Sequence, residues 1–576
     1  MLRPAASDTR IPVLRDAIRR HVPLSLRARV MRAARRAVLG GTVMPPTVAI
    51  GGFDTPADGA VITGDVIRVV GWALRENGMP WSVDVRLGGV LLGRARLGLG
   101  RPDLVALGAE ATAAGFELTA PIPAALRGDR AAIVAVVHFQ GNRHRLVLDG
   151  PTVDLRPRPL PTRRLPILGQ AAGTRRRPGP RPGPPHLLAV THQLDLGGGQ
   201  FYLQDLLRGL LRGGHVRATV ASPVDGPLRA ELEGLGAAVH LLTPWPHHSA
   251  LLYESRLDEL AAWARDRQVD AVLANTAMAF PGVHLAHRLG LPALWAIHES
   301  YPTPVLWDAV LGAAADPAVR AAAEESLRLP DRLIFEARST LDLYSAAAGA
   351  SRCLHLPYGV ELAALDADAA GLTRHAARRR LGLREGAQVL LCMGTFEPRK
   401  GQTILVRAFS EVADRHPDAV LVLVGENGTE YARAVTALAA STGLGPRVRL
   451  EPVGPDVVPW YVAADVLVSA SDVESMPRSA LEAMALGTPV LAAGAYGVGE
   501  LVEDGVSGWI VEPRDLGALV EGLDRALVDG NRHRSMGRQA AARVRRDHDA
   551  AGYVAAYADM LDDLLADPAR PSSAHG

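Results

Sequence analysis

The sequence predicts an α/β chain of two doubly wound, Rossmann-like domains preceded by a small all-β sandwich. Three observations carry this expectation. From His186 onward, short apolar runs alternate with amphipathic stretches in two successive series, the pattern of strand-helix units on a parallel sheet. Between residues 45 and 155, short β-branched runs are bounded by turn residues instead. The chain has 576 residues, too many for one hydrophobic core.

Residues 1–44 carry ten Arg against Asp8 and Asp16. Leu14, Ile18 and Val22, then Leu26 and Val30 beyond Pro23, form an apolar stripe, so the segment reads as a basic amphipathic helical extension. It would lie on anionic lipid, or be solvated or docked on a partner. In 45–155, Val61–Thr63, Val66–Val70, Val83–Leu87 and Ala132–Val137 read as strands. Asn77-Gly78, Gly88-Gly89, Gly128-Asp129 and Gly141-Asn142 supply turns. With Pro56-Ala57-Asp58-Gly59, Val70-Gly71-Trp72-Ala73-Leu74 and Arg101-Pro102-Asp103, the segment resembles immunoglobulin-like modules of bacterial surface-polysaccharide proteins. Trp72 reads as a core anchor rather than a sugar platform. Residues 156–185, Pro- and Arg-rich, read as an extended linker. Residues 186–357 are expected to form the first Rossmann-like domain and 358–566 the second, with 567–576 a disordered tail. Expected strands are Leu187–Val190, Val216–Ala221, Ala271–Ala274, Ala293–Ile297, Arg332–Phe335 and Cys353–Leu356, then Val389–Cys392, Val420–Val424, Val448–Leu450, Val466–Ser469, Pro489–Ala492 and Trp509–Val511.

The net charge of +2 is uneven: residues 1–44 and 155–185 each contribute +8, so the rest carries 2 − 16 = −14. An acidic body argues against a nucleic-acid partner. Cys353 and Cys392, the two cysteines, are expected to be buried thiols in a reducing compartment. No run reaches the roughly 18 apolar residues of a spanning helix, and no apolar h-region marks a signal peptide. The expected location is cytoplasmic, or peripheral at the inner membrane face should residues 1–44 bind there.

The chemistry concentrates in Ser471–Pro489, SDVESMPRSALEAMALGTP, where seven residues separate Glu474 from Glu482. Pro477 is placed to open a helix, with Glu482 on its second turn. The amides of Ser475 and Met476 and that helix N-terminus would form a positive pole for phosphate. Glu482 could accept ribose hydroxyls, and Glu474 could reach a sugar. This segment, with Ala483 to Val490, closely resembles the Glu-x7-Glu signature of family-4 glycosyltransferases. The resemblance implies the GT-B fold, a nucleotide-diphosphate sugar donor and retention of anomeric configuration.

Met393–Gly401 follows a strand, and Lys400 could neutralise a departing diphosphate. The family often has Gly-Arg here, whereas this chain has Gly394-Thr395, leaving Arg399 as a substitute cation or a solvated loop residue. Leu196-Gly197-Gly198-Gly199-Gln200 resembles the family's Gly-Gly loop, so Gly197 and Gly198 are candidate donor contacts. His298, after the Ala293–Ile297 strand, corresponds to a family His beside the transferred sugar. Asn275-Thr276 is a lesser acceptor candidate, and Leu356–Glu361 resembles the crossing between domains. Arg447–Gly454 is the expected strand and loop beside the base. No Cys/His cluster has metal-ligand spacing, so no metal and no cofactor are expected. The function expected is transfer of a sugar (hexosyl type) to a carbohydrate or lipid-linked acceptor hydroxyl, in surface polysaccharide or glycolipid synthesis. Two alternatives share the frame: a non-catalytic sugar-binding or scaffold protein, and a nucleotide-sugar epimerase.

Overall fold

The computed structural model describes residues 49–75, 80–101, 104, 113–139, 145–156, 183–312, 314–452, 454, 456–528 and 530–566. The N-terminal extension, the linker beyond residue 156 and up to 182, the tail 567–576 and the turns Asn77-Gly78 and Gly141-Asn142 lie outside them.

The first described unit is a β-sandwich. One sheet orders its strands Ala49–Thr55, Val66–Arg75, Gly115–Pro121 and Arg96–Leu99. The other runs Val61–Thr63, Arg145–Arg156, Arg130–Phe139, Pro80–Leu87 and Val90–Arg94. Alternation positions the core: Val83, Val85 and Leu87 are buried while Arg86 is exposed. With Ile133 and Val137 of the neighbouring strand, they meet Val69 and Phe116 across the sandwich. Trp72 is buried with Leu104 and Ala114, Arg101 lying over its ring at 5.9 Å.

Two parallel sheets follow. The first has seven strands in the order Ala238–Leu241, Arg217–Ser222, His186–Val190, Ala271–Asn275, Ala293–Ala296, Arg332–Phe335 and Cys353–His355. The second has six, in the order Val448–Pro452, Ala419–Glu426, Gln388–Met393, Val466–Ser469, Val490–Ala493 and Gly508–Val511. In both, the chain reverses direction beside its first strand, where a crevice opens at the strands' carboxyl ends. The central strands are buried because helices cover both faces: all five residues of His186–Val190 and of Ala271–Asn275 are buried, the polar His186 and Asn275 at the strand ends included. Cys392 is buried and its thiol pushed up to about 12 by desolvation. Cys353, expected to be buried, is only half-buried, because its strand pairs on one side alone and forms the sheet edge.

The chain crosses between the sheets twice, side by side. Val360 bridges Asp549, and a Cβ on Gly359 would lie 2.4 Å from the Asp549 backbone. After the second crossing, helix Ala550–Ala566 packs on helix Gly198–Arg212 of the first unit, where the Tyr202 and Tyr557 hydroxyls bond at 2.9 Å.

Candidate active site

The second sheet brings the two ends of its motif together. Strand Gln388–Met393 leads into a turn closed by the short helix Pro398–Lys400, and strand Val466–Ser469 leads into the Ser471–Pro477 loop. Lys400 Nζ donates to Glu474 Oε1. The Arg399 guanidinium lies 3.5 Å from the same oxygen and donates to Glu397 at 2.8 Å. The Asp472 amide donates to the Arg399 carbonyl at 2.9 Å, tying loop to turn. Burial pushes the Glu474 carboxyl upward, but Lys400 and Arg399 outweigh it, and its pKa lies below the ordinary carboxylate value. Arg399, its side chain one-third exposed, thus pairs with carboxylates beside Lys400.

Helix Arg478–Ala485 starts after Pro477, and Glu482 occupies its second turn, as expected. Met476 turns its side chain into the core. The Glu482 carboxylate accepts from Arg478 Nε at 2.6 Å and from the Tyr461 hydroxyl at 2.9 Å. Arg478 also donates to Asp205 Oδ2 at 2.6 Å, in helix Gly198–Arg212 of the facing unit, and lies 4.8 Å above the Phe201 ring. Tyr358, at the first crossing, donates to the same Asp205 oxygen at 2.8 Å. This network lines a cavity of about 590 Å³ between the units, walled by Phe201, Asp205, Arg208, Pro459, Arg478 and Glu482.

On the facing unit, His298 stands at a strand's carboxyl end. Its Nδ1 lies 3.0 Å from Glu336 Oε1, and its Nε2 3.0 Å from Asn275 Oδ1. The Asn275 amide donates onward to the Gly199 carbonyl at 2.8 Å. Two acceptors at the ring nitrogens suit the doubly protonated imidazole. Burial disfavours that charge, but Glu336 overrides it and raises the His298 pKa. His192 shows the opposite outcome: burial, then the His298 charge, lower it to about 4. Within the glycine loop, Gly199 makes the close approach, since a Cβ there would lie 3.0 Å from Thr276 and 3.2 Å from His298. Open space faces Gly198, and Gly197 caps helix Gly198–Arg212.

The two halves touch at the motif. The Thr340 hydroxyl bonds Ser300 at 2.7 Å and Ser475 at 3.3 Å. Glu500 accepts the Arg338 and Ser339 amides at 2.9 and 2.8 Å, capping a helix of the first unit from the second. Motif reading missed Asp205, Glu336, Tyr461 and Arg478. Asp205, an acid among Leu203, Leu206 and Leu207, was the visible signal. Among the described residues, no group of three or more His, Cys, Asp or Glu is placed to hold a metal ion, and no helix is long and apolar enough to cross a membrane.

Paired doubly wound sheets, with Arg478 and Glu482 of the Glu-x7-Glu segment lining a cavity between them, define the GT-B class. Residues 373–543 match the family described as glycosyl transferases group 1, and residues 197–359 the glycosyl transferase 4-like domain. The chain is 32% identical over 325 residues to a D-inositol 3-phosphate glycosyltransferase of Geodermatophilus obscurus, covering 51% of this chain and 71% of that one. It is 37% identical over 214 residues to the protein of that name from Streptosporangium roseum, matching 35% of this chain. The match spans about half of that relative's length, 48%. Anabaena HepE in complex with UDP and glucose shares the fold, at TM-score 0.56 and 22% identity, covering 66% of this chain and 99% of HepE. The chain belongs to the group 1 family of glycosyltransferases.

Proposed function

We propose that the protein transfers a sugar from a nucleoside diphosphate to an acceptor hydroxyl, with retention of configuration and without a metal ion. The observation that carries the proposal is the Glu474–Lys400–Arg399 cluster at the strand ends, beside a helix N-terminus. The diphosphate would sit between Lys400, Arg399 and the amides near Ser475 and Met476, whose fixed positive charge stabilises the leaving group as the bond from the sugar's anomeric carbon breaks. The acceptor oxygen would bond to that carbon from the same face, and its proton would pass to a diphosphate oxygen. Glu474 would orient the sugar. His298, its ring held by Glu336 and Asn275, would shape the pocket through its placement and offer its main-chain carbonyl to the attacking hydroxyl. Gly197 and Gly198 would flank donor phosphate and acceptor, and the 590 Å³ cavity would take the nucleoside, with Glu482 on the ribose.

The finer assignments belong to the same reading: a hexosyl donor, a carbohydrate or lipid-linked acceptor of surface polysaccharide or glycolipid, membrane contact through residues 1–44, and an immunoglobulin-like β-sandwich. HepE's complex makes UDP the first nucleotide to test. Because a ligand that binds only the folded state raises its melting temperature, UDP, GDP or ADP should stabilise the wild type. Glu474→Gln or Lys400→Ala should keep the fold and lower sugar release from the matching nucleotide sugar roughly a hundredfold, the effect of losing one preorganised contact. No shift with any of the three nucleotides, or full turnover in both variants, would overturn the proposal.

A further inference from the structure

The β-sandwich meets the second sheet at the loop that carries Glu474. Arg96, in strand Arg96–Leu99, forks the Asp472 carboxylate: Nε to Oδ2 at 2.8 Å and Nη2 to Oδ1 at 3.0 Å. Such a bidentate pair fixes orientation as well as charge. Asp472 lies two residues before Glu474 and is 8% exposed; through its amide it also holds the Arg399 carbonyl. A second guanidinium, Arg514, donates to Asp472 Oδ2 at 2.8 Å and to the Arg94 carbonyl at 2.7 Å, so it clasps both loop and sandwich. Arg514 does so at a φ of +59°, a conformation uncommon for a residue with a side chain.

The contact around this fork leaves no slack. A Cβ on Gly98 would come within 2.8 Å of the Thr403 hydroxyl, and one on Gly517 within 2.1 Å of the Trp81 ring. Arg94 adds a bond to Asp515 at 2.9 Å, and Arg407 donates to the Ala113 carbonyl. The same sandwich lies against helix Thr303–Leu311 of the first sheet through strands Val66–Arg75 and Gly115–Pro121. It therefore braces both halves of the cleft.

We propose that the β-sandwich is a structural part of the donor site, and that Arg96 is a positioning residue that fixes the Glu474 loop by clamping Asp472. The inference rests on the donor-site reading above. Without Arg96, a buried carboxylate close to the diphosphate pole keeps only Arg514 as a partner. The loop then relaxes towards a better-solvated position and carries Glu474 with it. A displacement near 1 Å at a reacting centre costs on the order of a hundredfold in rate.

The test uses full-length protein and the nucleoside diphosphate-glucose whose nucleotide gives the largest thermal shift, following release of the nucleotide as the sugar passes to water. Arg96→Ala should lower kcat about a hundredfold, with a much smaller change in donor KM. Amide exchange in residues 471–477 should quicken. Arg96→Lys, which restores the charge without the fork, should recover part of the loss. Arg127→Ala, which removes another sandwich arginine paired with Asp65 at 2.7 Å, should match the wild type. If Arg96 acts through Asp472, adding Arg96→Ala to Asp472→Ala should cost nothing further. Equal losses in both backgrounds, or wild-type kcat in Arg96→Ala, would overturn the positioning role while leaving the donor site standing. A wild type that binds no nucleoside diphosphate would overturn both.

Discussion

Asp205 offers a way to measure how firmly the two halves are held together. Its side chain is 1% exposed and accepts from Arg478 across the cleft at 2.6 Å, from Tyr358 at 2.8 Å and from Arg208 on its own helix. Truncating one partner of a buried ion pair typically costs about 3–5 kcal/mol, because the other charge is left uncompensated. Arg478 would keep Glu482 at 2.6 Å and is 24% exposed, so the lower end, about 3 kcal/mol, is the apt figure for Asp205→Ala. Much of that energy spans the two units, and 1.4 kcal/mol is a factor of ten in an equilibrium constant. The ratio of closed to open forms should therefore fall by roughly a hundredfold. Small-angle scattering should show a larger radius of gyration, and the dissociation constant for the nucleoside diphosphate should rise, with the circular dichroism of the wild type. An unchanged scattering profile together with unchanged nucleotide affinity would refute the argument, since the pair would then carry no closure energy.

Glu336→Gln should show its effect through pH. Glu336 raises the His298 pKa, so the stability from this pair is fully present below the unfolded histidine value of about 6.5 and is lost as pH rises through the folded value. Urea midpoints of wild type and variant should differ most in mild acid and converge in alkali; a constant gap would show that His298 does not titrate against Glu336. Gly497→Ala should disable the motif loop by crowding alone: the new methyl would lie 1.8 Å from the Ser475 carbonyl and 2.5 Å from Ala337, at an ordinary φ of −67°. Overpacking of this kind costs about 1–3 kcal/mol. Both melting temperature and nucleotide affinity should fall, while Gly499→Ala, which faces open space, serves as the control.

What the sequence revealed was local. The central strands are largely apolar runs, and Arg332–Phe335 and Val466–Ser469 have the residues expected of them. Glu474, Pro477 and Glu482 lie within one turn-and-helix segment, so their spacing already defines their placement. Strand Ala238–Leu241 escaped notice because it is a half-exposed edge whose Ala-Val-His-Leu composition carries no strict alternation. Strand Arg96–Leu99 contains a charged residue and a glycine at φ +84°, and neither reads as strand. The remaining site residues depend on partners remote in the chain: Arg96 and Asp472 are 376 positions apart, Asp205 and Arg478 are 273 apart, and His298 and Glu336 are 38 apart. No periodicity links such pairs. Each could be noticed only as a charged residue in apolar company, which signals a partner without saying where it lies.

The charges around the motif loop form two ion-pair sets. Arg96 and Arg514 meet Asp472; Arg399 meets Glu397 and Glu474, and Lys400 meets Glu474. The Asp472 amide joins the sets through the Arg399 carbonyl. In the second set two cations balance two carboxylates, so a diphosphate bound there would have to exchange partners with them. Lys400 bonds Glu474, so on the donor-site reading a diphosphate drawing Lys400 toward itself would weaken the main influence that holds the Glu474 pKa down. The freed carboxylate oxygen then becomes available to a sugar hydroxyl. On the donor-site reading, binding the phosphates and presenting Glu474 to the sugar are thus one event, and the lysine-glutamate pair is the contact that couples them.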